Sequence, residues 1–191
     1  MEQIEIAGYK REKLNYSGLK KLREEALVPG VLYGEKINKM FSVPAFLLKN
    51  IVYSSIPKLI KFNIEGDIFD CILKEVQFHP VSEVILHVDF MQVEENKKIQ
   101  IVVPILIQGA NIALGVKKGG LLIQNLKKAT VLGLYEDIPN VINVDVANLD
   151  AGETLRISDI LNKNEKYKIL ADPKAPIVGI KASREKTDSK G

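Results

Sequence analysis

The sequence predicts a mostly β protein, with an N-terminal six-stranded β-barrel carrying short helices over residues 1–93, a second all-β domain over 94–180, and a disordered tail over 181–191. Three observations lead there. Short apolar runs recur along the whole chain, bounded by Gly, Pro, Asn and Asp, as strands are. Before residue 93, only 20–26 and 45–54 space their apolar residues with a helical period. A polar run, EENKK at 94–98, then divides two strand-like segments and is the natural domain boundary.

The elements follow in order. From Gln3 to Tyr9, Ile4 and Ile6 alternate with Glu5, the period of a half-buried strand. Asn15, Ser17 and Gly18 favour a loop. Ser17 then reads as the cap of a helix over Lys20–Ala26, whose Leu19, Leu22 and Ala26 share a face. That helix must stop before Pro29, because proline holds the preceding residue in extended geometry. Val28–Tyr33 is the second strand and Lys39–Val43 the third. Pro44 opens a helix in which Phe46, Leu47 and Ile51 are helically spaced. Leu59–Ile64 and Ile68–Val76 form a hairpin around Glu65-Gly66-Asp67, a three-residue turn with a bulge. After His79-Pro80 comes a sixth strand, Val84–Val93, which completes the profile of a small barrel.

Beyond the boundary, Ile99–Gln108 is a long apolar strand. Pro104 inside it argues for an edge or a bulge, since proline cannot donate to a ladder. An edge there would also offer a site for an added strand, and with it a protein-interaction role for the C-terminal domain. GVKKGG at 115–120 reads as a β-turn; it lacks the Gly-Lys-Ser/Thr ending of a phosphate loop and leads into no helix. Leu121–Leu134, Val141–Val146 and Ile177–Ile180 read as strands, and Ile157–Leu161 as one helical turn at most. The closing SREKTDSKG has no apolar content and belongs to the tail.

Composition excludes several classes. Apolar residues make up 46% and charged ones 27%, which fits a folded soluble chain. Trp is absent and aromatics are 6%, so the core is expected to rest on Ile, Leu and Val. The single cysteine, Cys71, excludes an internal disulfide and a multi-cysteine metal site, and its apolar strand makes it a small core residue. No run approaches the roughly 18 apolar residues of a membrane span. The N-terminus lacks the apolar segment of a secretory signal, so a cytoplasmic protein is expected. No cofactor or catalytic group is indicated. His79 and His87 have no Cys or His at ligand spacing, and Asp89 beside His87 lacks a nucleophile to serve.

Charge gives the positive indication. Lys10, Arg11, Lys13, Lys20, Lys21 and Arg23 fall within residues 10–23 with a single acid, Glu12, a local net charge of +5. Residues 1–95 as a whole carry twelve Lys and Arg against fourteen Asp and Glu, a net charge of −2. The positive charge is therefore a focused patch, as a polyanion-binding surface requires. The bland alternative is a solvated helix face in which Lys20 pairs with Glu24 and Lys21 with Glu25.

KKLREEALVPGVLYG, followed by VQFHP at Val76–Pro80 and HVDF at His87–Phe90, resembles the bacterial large-subunit ribosomal protein twenty-five family. That family includes the two-domain general stress protein Ctc and binds 5S rRNA. The second half, with VPILIQGANIALGVKKGGLL and DIPNVINVDVANLDAGETLRISDI, resembles the C-terminal β domain of its longer members. The resemblance implies a non-enzymatic constituent of the large ribosomal subunit, with 5S rRNA and neighbouring ribosomal proteins as partners and a monomer off the ribosome. By position it implies RNA contacts from Arg11, Lys20, Lys21 and Arg23, and from Tyr33, Gln77, His79, His87 and Asp89. The chain departs from the family pattern before the helix, where Asn15-Tyr16-Ser17 replaces a frequent Gly-Lys-Gly. Lys13 and Tyr16 are the residues placed to compensate, one by charge and the other by stacking.

Overall fold

The computed structural model describes residues 2–94, 96–161 and 166–182. It forms two compact units, Met1–Ile101 with Leu134–Ile138 and Val102–Gly133 with Pro139–Gly191.

In the first unit six strands, β1 (Glu2–Lys10), β2 (Leu27–Tyr33), β3 (Asn38–Pro44), β4 (Lys58–Ile64), β5 (Asp67–Phe78) and β6 (Ile85–Gln92), close a barrel in the order β1-β3-β2-β6-β5-β4. Helix α1 (Tyr16–Glu24) joins β1 to β2, and α2 (Ala45–Val52) joins β3 to β4. Pairs β1–β4 and β2–β6 are parallel and the rest antiparallel. Closure matters because it leaves no unpaired edge in the wall.

The barrel core rests largely on Ile, Leu and Val, as expected, but three aromatic rings stand at its centre. Phe41, Phe62 and Phe90 are fully buried there, with ring centroids 4.4 Å apart for Phe41–Phe62 and 5.2 Å for the other two pairs. A low aromatic percentage limits how many rings exist, not where they collect. Ile6, Leu32, Val43, Leu48, Ile60 and Val88 pack around them. Cys71 is buried in the same cluster, and burial, followed by the charge of Asp70, pushes its thiol well above the ordinary value.

Local chemistry moves several boundaries. Ser17 is not the cap of α1. Asn15 is, its Oδ1 accepting from the Gly18 N–H at 3.0 Å, and Ser17 Oγ donates to the same oxygen at 3.0 Å. The helix therefore starts at Tyr16 rather than Lys20. It ends before Ala26 because Ala26 takes a φ of 58°, with its N–H bonded to the Arg23 carbonyl at 3.1 Å. A left-handed alanine is strained by its Cβ, and Ala26 is exposed, so Ala26→Gly should stabilise the barrel by about 1 kcal/mol. A shift of the denaturation midpoint to higher urea at unchanged slope would show it; a lower midpoint would refute it.

The β4–β5 turn also differs from expectation. Ile64 pairs with Asp67, leaving a two-residue loop in which Glu65 (φ 52°) and Gly66 (φ 102°) are both left-handed. That is the primed turn whose twist matches a hairpin. The Asn63 side chain fixes it by accepting from the Gly66 N–H at 2.8 Å. Strand β5 then runs to Phe78, past the expected end at Val76, with a register shift between Leu73 and Glu75.

The chain from Ile99 on forms two further sheets, with the second unit beginning at Val102 within β7 (Ile99–Gln108). Strand β7 lies between β10 (Ile142–Asp145) and β9 (Lys128–Gly133), and β12 (Lys168–Ile169) follows β9. The other sheet orders β11 (Thr154–Arg156), β13 (Pro176–Lys181) and β8 (Leu121–Gln124). The edge position expected for residues 99–108 is thus wrong. Pro104 lies just before the segment Ile105–Gln108 that pairs with β10, so its missing N–H costs that ladder nothing. The adaptor reading loses its proposed edge with it. GVKKGG is not a β-turn either: α3 (Leu114–Lys117) makes one helical turn, closed by the Gly119 N–H on the Val116 carbonyl at 2.9 Å. The expected strand Leu121–Leu134 is broken into β8 and β9, and the one-turn helix is α4 (Ser158–Leu161). β13 reaches Lys181; the rest of the expected tail, 183–191, lies outside the described residues.

Candidate nucleic-acid interface

The basic segment divides into two kinds of side chain. Lys20 and Lys21 are exposed on α1, Lys13 is exposed in the segment before it, and among the described residues none of the three pairs with a carboxylate. The Lys20–Glu24 and Lys21–Glu25 pairs of the bland alternative do not form, so both lysines face solvent with their charge free. Lys21 does suit its helix, since a cation in the last turn complements the dipole.

The two arginines are held by the barrel itself. Arg11 donates from Nε to the Phe41 carbonyl at 2.8 Å and from Nη2 to the Gly30 carbonyl at 3.4 Å, tying β3 and β2 together. Its partial burial lowers its pKa. Arg23 donates from Nε and Nη2 to the Leu86 carbonyl at 3.2 and 3.1 Å, anchoring α1 to β6 beside His87. Lys20, three residues earlier, lies on the same helix side.

The remaining positions assemble on the outer wall of β2–β6–β5. His87 faces Gln77 and Asp89 faces Glu75 across β6–β5, while Val31 faces Asp89 and Tyr33 faces Met91 across β2–β6. Their neighbours Leu32, Val88 and Phe90 are buried, so the alternation turns Tyr33, Gln77, His87 and Asp89 outward together. Burial, then the charges of Asp89 and Glu75, push the Tyr33 hydroxyl above its ordinary value and keep it a hydrogen-bond donor.

His87 Nδ1 lies 2.7 Å from Asp89 Oδ1, yet without the alignment of a hydrogen bond. It is the one buried side-chain polar atom among the described residues that lacks a partner.

His79 stands apart from the wall. Its Nδ1 accepts from the Ser82 N–H at 3.2 Å and the Val81 N–H at 3.4 Å, which shapes the β5–β6 loop and leaves Nε2 as the donor. Tyr16, in the position that departs from the family pattern, is 82% exposed at the first turn of α1. Glu75 was not among the sequence-derived candidates. The β5 register shift sets it outward beside Tyr33, and nothing in the residue pattern announces that shift.

Cys71 points into the core, away from His87 and Asp89, and among the described residues no three His, Cys, Asp or Glu gather as metal ligands. The wall offers a row of donors and acceptors, and α1, tied to it where Arg23 grips the Leu86 carbonyl, carries free lysines.

Comparison with known proteins agrees. The Ribosomal L25p family model matches residues 6–90, and the model of ribosomal protein TL5, C-terminal domain, matches residues 98–184. The large ribosomal subunit protein bL25 of Amoebophilus asiaticus is 44% identical over 184 residues, covering 96% of this chain and 92% of that protein. That of Cytophaga hutchinsonii is 36% identical, covering 96% and 94%, and that of Phocaeicola vulgatus is 37% identical, also covering 96% and 94%. Both halves of the chain are accounted for, and it belongs to the ribosomal L25p family as a two-domain member.

Proposed function

We propose that this protein, a non-enzymatic structural component of the large ribosomal subunit, binds 5S rRNA through α1 and the outer wall of β2–β6–β5. As a ribosomal protein it works in the cytoplasm. The observation that carries the proposal is that α1, whose Lys20 and Lys21 have no carboxylate partner among the described residues, is tied by Arg23 to Leu86 next to His87 of the polar row Tyr33, Gln77, His87 and Asp89, in a first half whose net charge is −2. Lys13, Lys20 and Lys21 neutralise phosphates and release counterions. Arg11 and Arg23 hold the strands and the helix that present them, with charge left over for the backbone.

The polar row reads the groove. Asp89 accepts from a base amino group, Gln77 offers a donor and an acceptor in one plane, and Tyr33 donates. Ordinary A-form RNA hides base edges in a deep, narrow groove, so this row suits an irregular, widened helix. Titrating the full chain against labelled 5S rRNA, with transfer RNA as competitor, tests the reading. Binding that survives the competitor and falls steeply with salt is expected. Equal affinity for both RNAs would refute it.

A further inference from the structure

The six phenylalanines are not used alike. Phe41, Phe62 and Phe90 fill the barrel and Phe69 is half-buried, but Phe46 is 67% and Phe78 43% exposed. Tyr53, at the C-cap of α2, is 65% exposed, and its ring lies 6.4 Å from that of Phe78. Phe46 and Tyr53 are seven residues apart, nearly two full turns, so they share one face of α2 roughly 10 Å apart along its axis. Lys49 and Asn50, both exposed, lie between them on that face.

From Lys36 to Ile64 the chain carries five lysines and no Asp or Glu. Lys39 and Lys58 are paired with Asp67 and Glu2, whereas Lys49 has no acidic partner among the described residues. Phe78, paired with Ile85 at the end of β5, adds its ring to this face beside Tyr53.

We propose that the outer face of α2, together with Phe78, is a stacking platform for unpaired rRNA bases. The proposal rests on the rRNA-binding reading above and adds to it a second, non-electrostatic contact. Exposed rings interleaved with a lysine and an amide are what unpaired nucleotides use, since every base has a π-face and every linkage a phosphate. Lysine is depleted from the cores of protein–protein interfaces, so a cation at the centre of the face favours a phosphate-bearing partner.

The test uses the full chain, 5S rRNA and an unstructured adenosine-rich oligoribonucleotide. Phe46→Ala/Tyr53→Ala should weaken binding to both RNAs by about ten- to a hundredfold while leaving the salt dependence unchanged. Phe46→Leu/Tyr53→Leu, which keeps bulk but removes the π-faces, should be as weak. Chemical probing of the complex should show unpaired adenines losing protection in both variants. Circular dichroism confirms folding, and Tyr53→Ala alone provides a milder variant should the double one unfold. Wild-type affinity in the Ala variant, or recovery in the Leu variant, overturns the platform and leaves a protein partner as the occupant. A wild-type chain that binds neither RNA overturns this inference and the 5S rRNA reading together. One that binds 5S rRNA regardless of these substitutions overturns this inference alone.

Discussion

Gly30→Ala is expected to destabilise the barrel by about 3 kcal/mol, the upper end for overpacking a core. A Cβ at Gly30 would fall 2.6 Å from Phe41 Cε2 and 2.7 Å from the Val88 carbonyl oxygen, and still closer to Phe41 Cζ. Neither obstacle can retreat. The Phe41 ring is held at 5.2 Å against Phe90 and 4.4 Å against Phe62, and the Val88 carbonyl belongs to β6, which pairs with β2 at Gly30. The loss is a sizeable share of the roughly 5–15 kcal/mol typical of a domain.

Cys71 makes this measurable in the barrel alone. It is the only cysteine, fully buried, with its thiol held protonated by its surroundings, so labelling by a thiol reagent reports opening of this unit. Gly30→Ala should accelerate labelling about a hundredfold. Adding Phe41→Leu should recover part of the loss, because a smaller side chain makes room for the methyl. A labelling rate within about twofold of wild type would mean that the ring and strand yield more easily than this packing allows.

The contrast between Gly30 and Lys20 shows what the sequence could and could not disclose. Strand periodicity and turn residues are local, so six strands and two helices before residue 93 were legible, as was the concentration of charge over 10–23. The three-ring core was not, because Phe41, Phe62 and Phe90 are far apart in sequence and meet only when the barrel closes. The same limit applies to Arg11 and Arg23. In sequence they are further members of a basic cluster; in space their guanidinium groups rest on the carbonyls of Phe41, Gly30 and Leu86. Pro104 misled for a related reason, since a proline's neighbour across a sheet is set by long-range pairing. Asn15 and Ser17 are both good caps by type, and only the geometry of Gly18 chooses between them.

Lys20→Ala/Lys21→Ala should weaken binding to 5S rRNA at low salt by about ten- to a hundredfold and make the salt dependence shallower by about two, one for each phosphate no longer neutralised. Both side chains are exposed and unpaired, so the substitutions should leave Cys71 labelling unchanged. Arg23→Ala should behave differently. It removes two hydrogen bonds to the Leu86 carbonyl, costing about 1–2 kcal/mol of barrel stability, and loosens α1 over β6. Labelling of Cys71 should then quicken while RNA affinity falls.

Arg23→Lys separates the two roles further. A lysine keeps the charge but not the fork that grips one carbonyl twice, so it should preserve most of the salt dependence and lose much of the anchoring. If Lys20→Ala/Lys21→Ala leaves both affinity and salt dependence at wild-type values, α1 is not the phosphate-binding element. The free lysines would then be no more than a solvated helix face.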